Sequence, residues 1–155
     1  MRQHTSLAIA LSLLSCAAAA STLPRFEDFP SVGGRLGQSA KVHLQDARSR
    51  QYATVLREAA RQKPNFAGHY VLASWGCGAS CTMSAAIDAN TGAVAWLPFT
   101  VCCWDADITE PLDFHADSRL LVVHGSRDEH GSGRYFYAFD GQRFRLLMAQ
   151  ETREK

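Results

Sequence analysis

Phe66-Ala67-Gly68-His69-Tyr70-Val71-Leu72-Ala73-Ser74-Trp75, then Gly76-Cys77-Gly78-Ala79-Ser80-Cys81, then Thr82-Met83-Ser84-Ala85-Ala86-Ile87-Asp88, is the stretch on which the fold turns. Residues 66–75 are apolar at both alternating sets of positions except His69. A strand reads this way when both its faces are covered, so it is predicted to be central. Residues 76–81 hold four small residues and two cysteines and form a tight loop. Met83, Ala85 and Ile87 then alternate with Thr82, Ser84 and Asp88, the period-two signature of a half-buried strand. Asp88-Ala89-Asn90-Thr91-Gly92 has turn chemistry, because Asn and Gly tolerate positive φ. Residues 94–97 return as a hairpin partner.

Downstream, residues 98–112 are irregular and carry Cys102, Cys103 and a run of acids. Arg119-Leu120-Leu121-Val122-Val123-His124 is a strand, residues 125–133 a polar glycine-rich loop, and Arg134-Tyr135-Phe136-Tyr137-Ala138-Phe139 an aromatic strand. Asp140-Gly141 is a strong hairpin signal, and residues 143–148 follow it. Upstream, Asp46 is the expected N-cap of a helix reaching Gln62, with Tyr52, Val55, Leu56 and Ala59 as its core stripe. Pro64 ends it. Residues 41–44 suit a short strand. Residues 21–40 are a loop segment that Phe26 and Phe29 pin down. The expected class is α+β: an N-terminal helix packed on a mainly antiparallel sheet of five to seven strands, with two disulfides.

Residues 1–20 read as a signal peptide. Arg2 precedes the apolar run of residues 7–14, and Ala18 and Ala20 fit a small-x-small cleavage pattern before Ser21. Leu13-Leu14-Ser15-Cys16 also suits a lipobox, which would instead make Cys16 the lipidated start of an outer-membrane lipoprotein. The expected organisation is therefore a signal peptide at 1–20, a loop segment at 21–40 and one disulfide-stapled β-rich domain at 41–155, periplasmic or secreted. The leader holds one of the 16 bases and none of the 15 acids, so the mature chain balances 15 against 15. That neutrality argues against nucleic acid as a partner. No later segment has transmembrane length and hydropathy.

Cys77, Cys81, Cys102 and Cys103 remain after export, an even number in an oxidising compartment. Three connectivities are open. Neighbouring residues bridge each other poorly, so two crosslinks from the 77/81 loop to the 102/103 pair are preferred. Cys-x-x-x-Cys with Cys-Cys is poor zinc spacing. Asp105, Asp107 and Glu110 lack an EF-hand's glycine and closing glutamate. No metal or cofactor is expected.

Pro64-Asn65-Phe66-Ala67-Gly68-His69-Tyr70, with Trp75-Gly76-Cys77-Gly78 and Cys81, resembles a group of small exported proteins of Gram-negative bacteria. The resemblance implies a periplasmic or secreted setting and carries no catalytic residue across. Ser132-Gly133-Arg134-Tyr135 is similar to the Ser-Gly-x-x-Tyr loop of periplasmic inhibitors of C-type lysozymes, but one residue short. The build is also that of immunity proteins against peptidoglycan-cutting toxins.

Nucleophilic chemistry finds no Gly-x-Ser-x-Gly elbow. His69, His124 and His130, with Glu129, Arg127 and Arg134, could supply an acid, a base and a cation at one end of the sheet, the needs of a small secreted ribonuclease-like or peptidoglycan-directed hydrolase. No spacing fixes them together. The best site candidate is the loop at 125–133 and the strand after it: Arg127, Glu129, His130, Ser132, Arg134 and Tyr135. Aromatics with arginine are common interface anchors. The expected function is an exported, non-catalytic binding protein acting on a periplasmic or secreted protein, an inhibitor or immunity factor for a cell-wall hydrolase. The alternative is the hydrolase.

Overall fold

The structure, a computed structural model, describes residues 22–34 and 39–152. The expected signal peptide and Cys16 lie outside the described residues. Two short helices, α1 (Ala47–Gln51) and α2 (Ala53–Ala59), precede eight strands: β1 (Tyr70–Gly78), β2 (Cys81–Asp88), β3 (Val94–Trp96), β4 (Val101–Cys102), β5 (Leu112–Phe114), β6 (Leu120–Arg127), β7 (His130–Phe139) and β8 (Phe144–Glu151). All strand pairs are antiparallel, in the order β1-β2-β4-β6-β7-β8, with β3 beside β2 and β5 beside β6. The sheet exceeds the expected five to seven strands because the irregular region supplies two very short ones, β4 and β5.

The sheet curls around its main core. Side chains of alternate residues in β1, β6 and β7 meet on one face: Leu72, Leu121, Val123, Tyr135, Tyr137 and Phe139. Phe66 is fully buried among Phe114, Phe139 and Phe144, and Tyr70 stacks edge-on to Phe139. The first strand thus meets the last hairpin across the interior. The opposite face is covered in two places. Leu56 and Ala59 of α2 cluster with Val71, Ala73, Ala85 and Ile87. Phe26 and Phe29 lie against Leu120, Val122 and Phe136. Ser118 fastens that N-terminal segment by donating to the carbonyls of Phe26 (2.8 Å) and Phe29 (3.1 Å).

Four expectations are corrected. The single helix is two, because Tyr52 leaves helical geometry (φ −101°, ψ 23°) where its ring packs near Trp75 and Trp96; Asp46 does cap the first, accepting from the Ser49 amide at 2.8 Å. Residues 41–44 form no strand, although the His43 amide bonds the Gly92 carbonyl. The strand at 70–78 is outermost in the sheet order; one of its faces is covered by the curled sheet's core and the other by α2. Asn65 lies beside it like a fragment of a further strand: its side chain accepts from the Leu72 amide at 2.8 Å and donates to the Leu72 carbonyl at 3.3 Å. Finally, among the described residues one disulfide is present, not two. It joins Cys77 to Cys81 across the β1–β2 turn, while Cys102 and Cys103 are free thiols. The hairpin register brings Cys77 and Cys81 together at its own turn, with their Cα atoms 5.2 Å apart.

The Asn-Phe-Ala-Gly-His-Tyr motif has a structural account. Phe66 and Tyr70 exchange backbone hydrogen bonds around Ala67 and Gly68, both at positive φ (47° and 87°). The amides of Ala67 and Gly68 reach the carbonyls of Ser118 and Ala116, so the motif locks the start of β1 onto the β5–β6 connection.

Candidate functional site

Strands β6 and β7 extend through most of the region read as a polar loop. Arg127 pairs with His130, leaving only Asp128 and Glu129 as the turn. Both have positive φ, 49° and 65°. A two-residue hairpin with both central residues left-handed is a type I′ turn, whose twist matches that of the flanking strands. Glycine or asparagine normally fills such positions, since a side chain there costs about 1–2 kcal/mol. Here Asp128 is held from outside: its carboxylate accepts from the Thr100 amide (2.8 Å) and hydroxyl (3.1 Å), and its amide donates to the Thr100 carbonyl (2.9 Å). The Glu129 side chain makes no such bond among the hydrogen bonds of the described residues and is exposed.

Beneath the turn, Arg127 is wedged into the molecule. Its guanidinium carbon lies 3.8 Å from the Tyr135 ring centroid, and it donates to the Tyr137 hydroxyl at 3.0 Å. Burial alone would lower the Arg127 pKa, but Tyr137 and Tyr135 outweigh it and hold the guanidinium above its ordinary value. Burial likewise raises Tyr137. Tyr135, expected as a contact residue, is fully buried; its ring supports Arg127 from inside, and so it belongs to the core. The surface members of the expected set are Glu129, His130 and Arg134, exposed, with Ser132 half-buried.

Arg134 lies opposite His124 on β6 and Gln150 on β8, so three side chains form a row across three strands. With Asp105, Asp107 and Ile108 from the β4–β5 connection and Ser132, they line a cleft of about 500 Å³. His124 is oriented there by Asp113, whose carboxylate lies 2.8 Å from its Nε2. Sequence reasoning noted the acids and His124 separately. It did not bring them together, because no local pattern signals that residues 105–108 fold back over β6. A larger hollow of about 690 Å³ is lined by residues 39–42 together with Arg57, Ala60 and Arg61.

The histidines do not share one end of the sheet as the catalytic alternative required. His69 sits 3.6 Å from Asp88, His124 pairs with Asp113, and His130 is exposed beside the turn. Among the described residues, no three His, Cys, Asp or Glu side chains are grouped as metal ligands would be, and no helix is long and apolar enough to cross a membrane. No protein-family model, curated protein or solved structure matches the chain.

Proposed function

We propose that the protein is an exported, non-catalytic binding protein. It presents the β6–β7 turn, with Glu129, His130, Ser132 and Arg134, to a periplasmic or secreted protein, as an inhibitor or immunity factor for a cell-wall hydrolase. The observation that carries this reading is Glu129 at φ +65°. A glycine there would make the hairpin more stable. A charged residue kept in a strained conformation, on a turn clamped by Thr100, is the signature of a group held out for contact rather than for folding. Arg127, fixed between Tyr135, Tyr137 and Glu151, makes the base of the hairpin rigid, so little order is lost on binding.

The test is inhibition of peptidoglycan hydrolysis by a panel of lysozymes and amidases. The purified mature protein inhibits at least one of them. Exchanging the displayed charges (Glu129→Lys with Arg134→Glu) abolishes inhibition without changing the fold. Unimpaired hydrolysis by every enzyme of the panel refutes the reading.

The cleft supports a second reading, a small secreted hydrolase in which His124, oriented by Asp113, moves the proton beside the Arg134 cation. Turnover of RNA or peptidoglycan fragments that disappears in His124→Ala would favour it over the first.

A further inference from the structure

Cys102 and Cys103 are neighbours at the end of β4, where alternation would send their side chains to opposite faces. They do not diverge. Cys103 has φ +55°, a left-handed conformation rare for a residue other than glycine, and this turns its side chain back. The two sulfurs are 2.7 Å apart, with Cys103 donating to Cys102. The surrounding fold makes room for the manoeuvre. Gly125 on β6, at φ +111°, faces the chain as it leaves β4, and a Cβ there would clash with the Cys102 carbonyl oxygen and lie 3.1 Å from the Trp104 amide nitrogen. The two thiols also differ. Cys103 is exposed and Cys102 is buried, where the Glu129 amide faces its sulfur. Burial, with the Cys103 thiol beside it, pushes the Cys102 pKa up.

We propose that Cys102 and Cys103 are a redox-active vicinal pair, converted between dithiol and a ring disulfide by exchange with an external disulfide. The exposed Cys103 thiolate attacks one sulfur of the external disulfide, forming a mixed disulfide and releasing the other half as a thiolate. The Cys102 thiolate then attacks the Cys103 sulfur. The Cys102–Cys103 bond forms, the mixed disulfide breaks, and the second half leaves as a thiolate. The pair loses two electrons and two protons, and the external disulfide becomes two thiols. Cys103 acts first because a nucleophile must be reached by its partner, and Cys102 second because its target is already in contact. Cys81 is the one competitor in register, opposite Cys102 on β2, but its sulfur is bonded to Cys77.

The experiment uses the mature protein equilibrated in reduced and oxidised glutathione at graded ratios, quenched with N-ethylmaleimide, and mapped by mass spectrometry without reductant. Trypsin leaves all four cysteines in one peptide, since no Lys or Arg lies between Lys63 and Arg119. Chymotrypsin, cutting after Trp96 and Phe99, separates the two pairs. Wild type loses both labels on the Cys102–Cys103 peptide together as the buffer becomes oxidising, with that peptide never joined to the one holding Cys77 and Cys81. Cys102→Ser accumulates glutathione on Cys103, having no resolving thiol, whereas Cys103→Ser leaves Cys102 unmodified. Two labels at every ratio, or a covalent link between the two peptides, overturns the proposal. The wild-type titration decides the matter even if a variant fails to fold, and its outcome is independent of hydrolase inhibition.

Discussion

Asp128 offers a direct measure of how firmly the β6–β7 turn is held. Asp128→Ala removes the acceptor of two hydrogen bonds from Thr100. These face solvent, so together they are worth about 1 kcal/mol. The change also places alanine at φ +49°, where it lacks the tolerance of Asp and loses about 1 kcal/mol more. The expected destabilisation is about 2 kcal/mol, roughly an 8 °C fall in Tm for a domain of this size. Asp128→Asn keeps an acceptor oxygen and a left-handed preference and loses only about 0.5 kcal/mol. Asp128→Gly falls between, about 1.5 kcal/mol, since glycine removes the conformational strain but adds freedom to the unfolded chain. Glu129→Gly has the opposite sign: relief of strain at φ +65° exceeds the entropy glycine adds, and stability rises by about 0.5–1 kcal/mol. Urea unfolding at constant m, checked against thermal scans, measures all four. An alanine variant as stable as wild type, or a glycine at 129 that destabilises, would show that the turn is not clamped at a cost and would remove the main support for Glu129 as a displayed contact.

Phe66→Ala empties the ring-lined centre between β1 and the β7–β8 hairpin and lowers stability by about 3–5 kcal/mol in urea unfolding. Arg127→Met keeps the packing but loses the contact with the Tyr135 ring and the Tyr137 hydrogen bond, about 2 kcal/mol together, read from the same unfolding curves. Asp140, which accepts from the amides of Gln142 and Arg143 and from the Arg145 guanidinium, has its carboxyl lowered from 3.8 to about 2, first by Arg145. A depressed carboxylate stabilises the fold above its unfolded pKa and loses that contribution as pH falls through the folded one. Wild type therefore loses stability between about pH 4 and about pH 2 more steeply than Asp140→Asn, and thermal melts across that window compare the two.

The long-range order of the sheet was legible only where pattern and turn chemistry agreed. The β1–β2 hairpin, the turn at 88–92 and the Asp140-Gly141 turn follow from period-two alternation between residues that accept positive φ. Phe26 and Phe29 were recognisable as anchors because apolar residues in a proline- and glycine-rich segment need somewhere to go. The position of β1 was not legible, since a strand covered by α2 on one face and by the curled sheet on the other reads the same at an edge as at the centre. The tip of β6–β7 was hidden for a different reason. Glycines at 125, 131 and 133 suggested a long loop, while the turn itself uses Asp and Glu and depends on Thr100, about thirty residues earlier. Of the expected contact residues, Glu129, His130 and Arg134 are on the surface; Tyr135 is not, because an aromatic at the start of a strand gives no sign of which face is inside. The cysteine pairing was not legible because nothing in the Cys-x-x-x-Cys spacing shows that Cys77 and Cys81 meet across the β1–β2 turn, their Cα atoms 5.2 Å apart.

The side chain of Asn65 has a consequence for how the molecule behaves in a crowd. An outermost strand invites another chain to continue the ladder, and a protein open on both flanks can build fibres without end. At Leu72 that invitation is already answered by a carboxamide from within the same chain. A visiting strand therefore meets an occupied rung on β1 at Leu72, and extending the ladder past that point first requires the Asn65 carboxamide to be displaced.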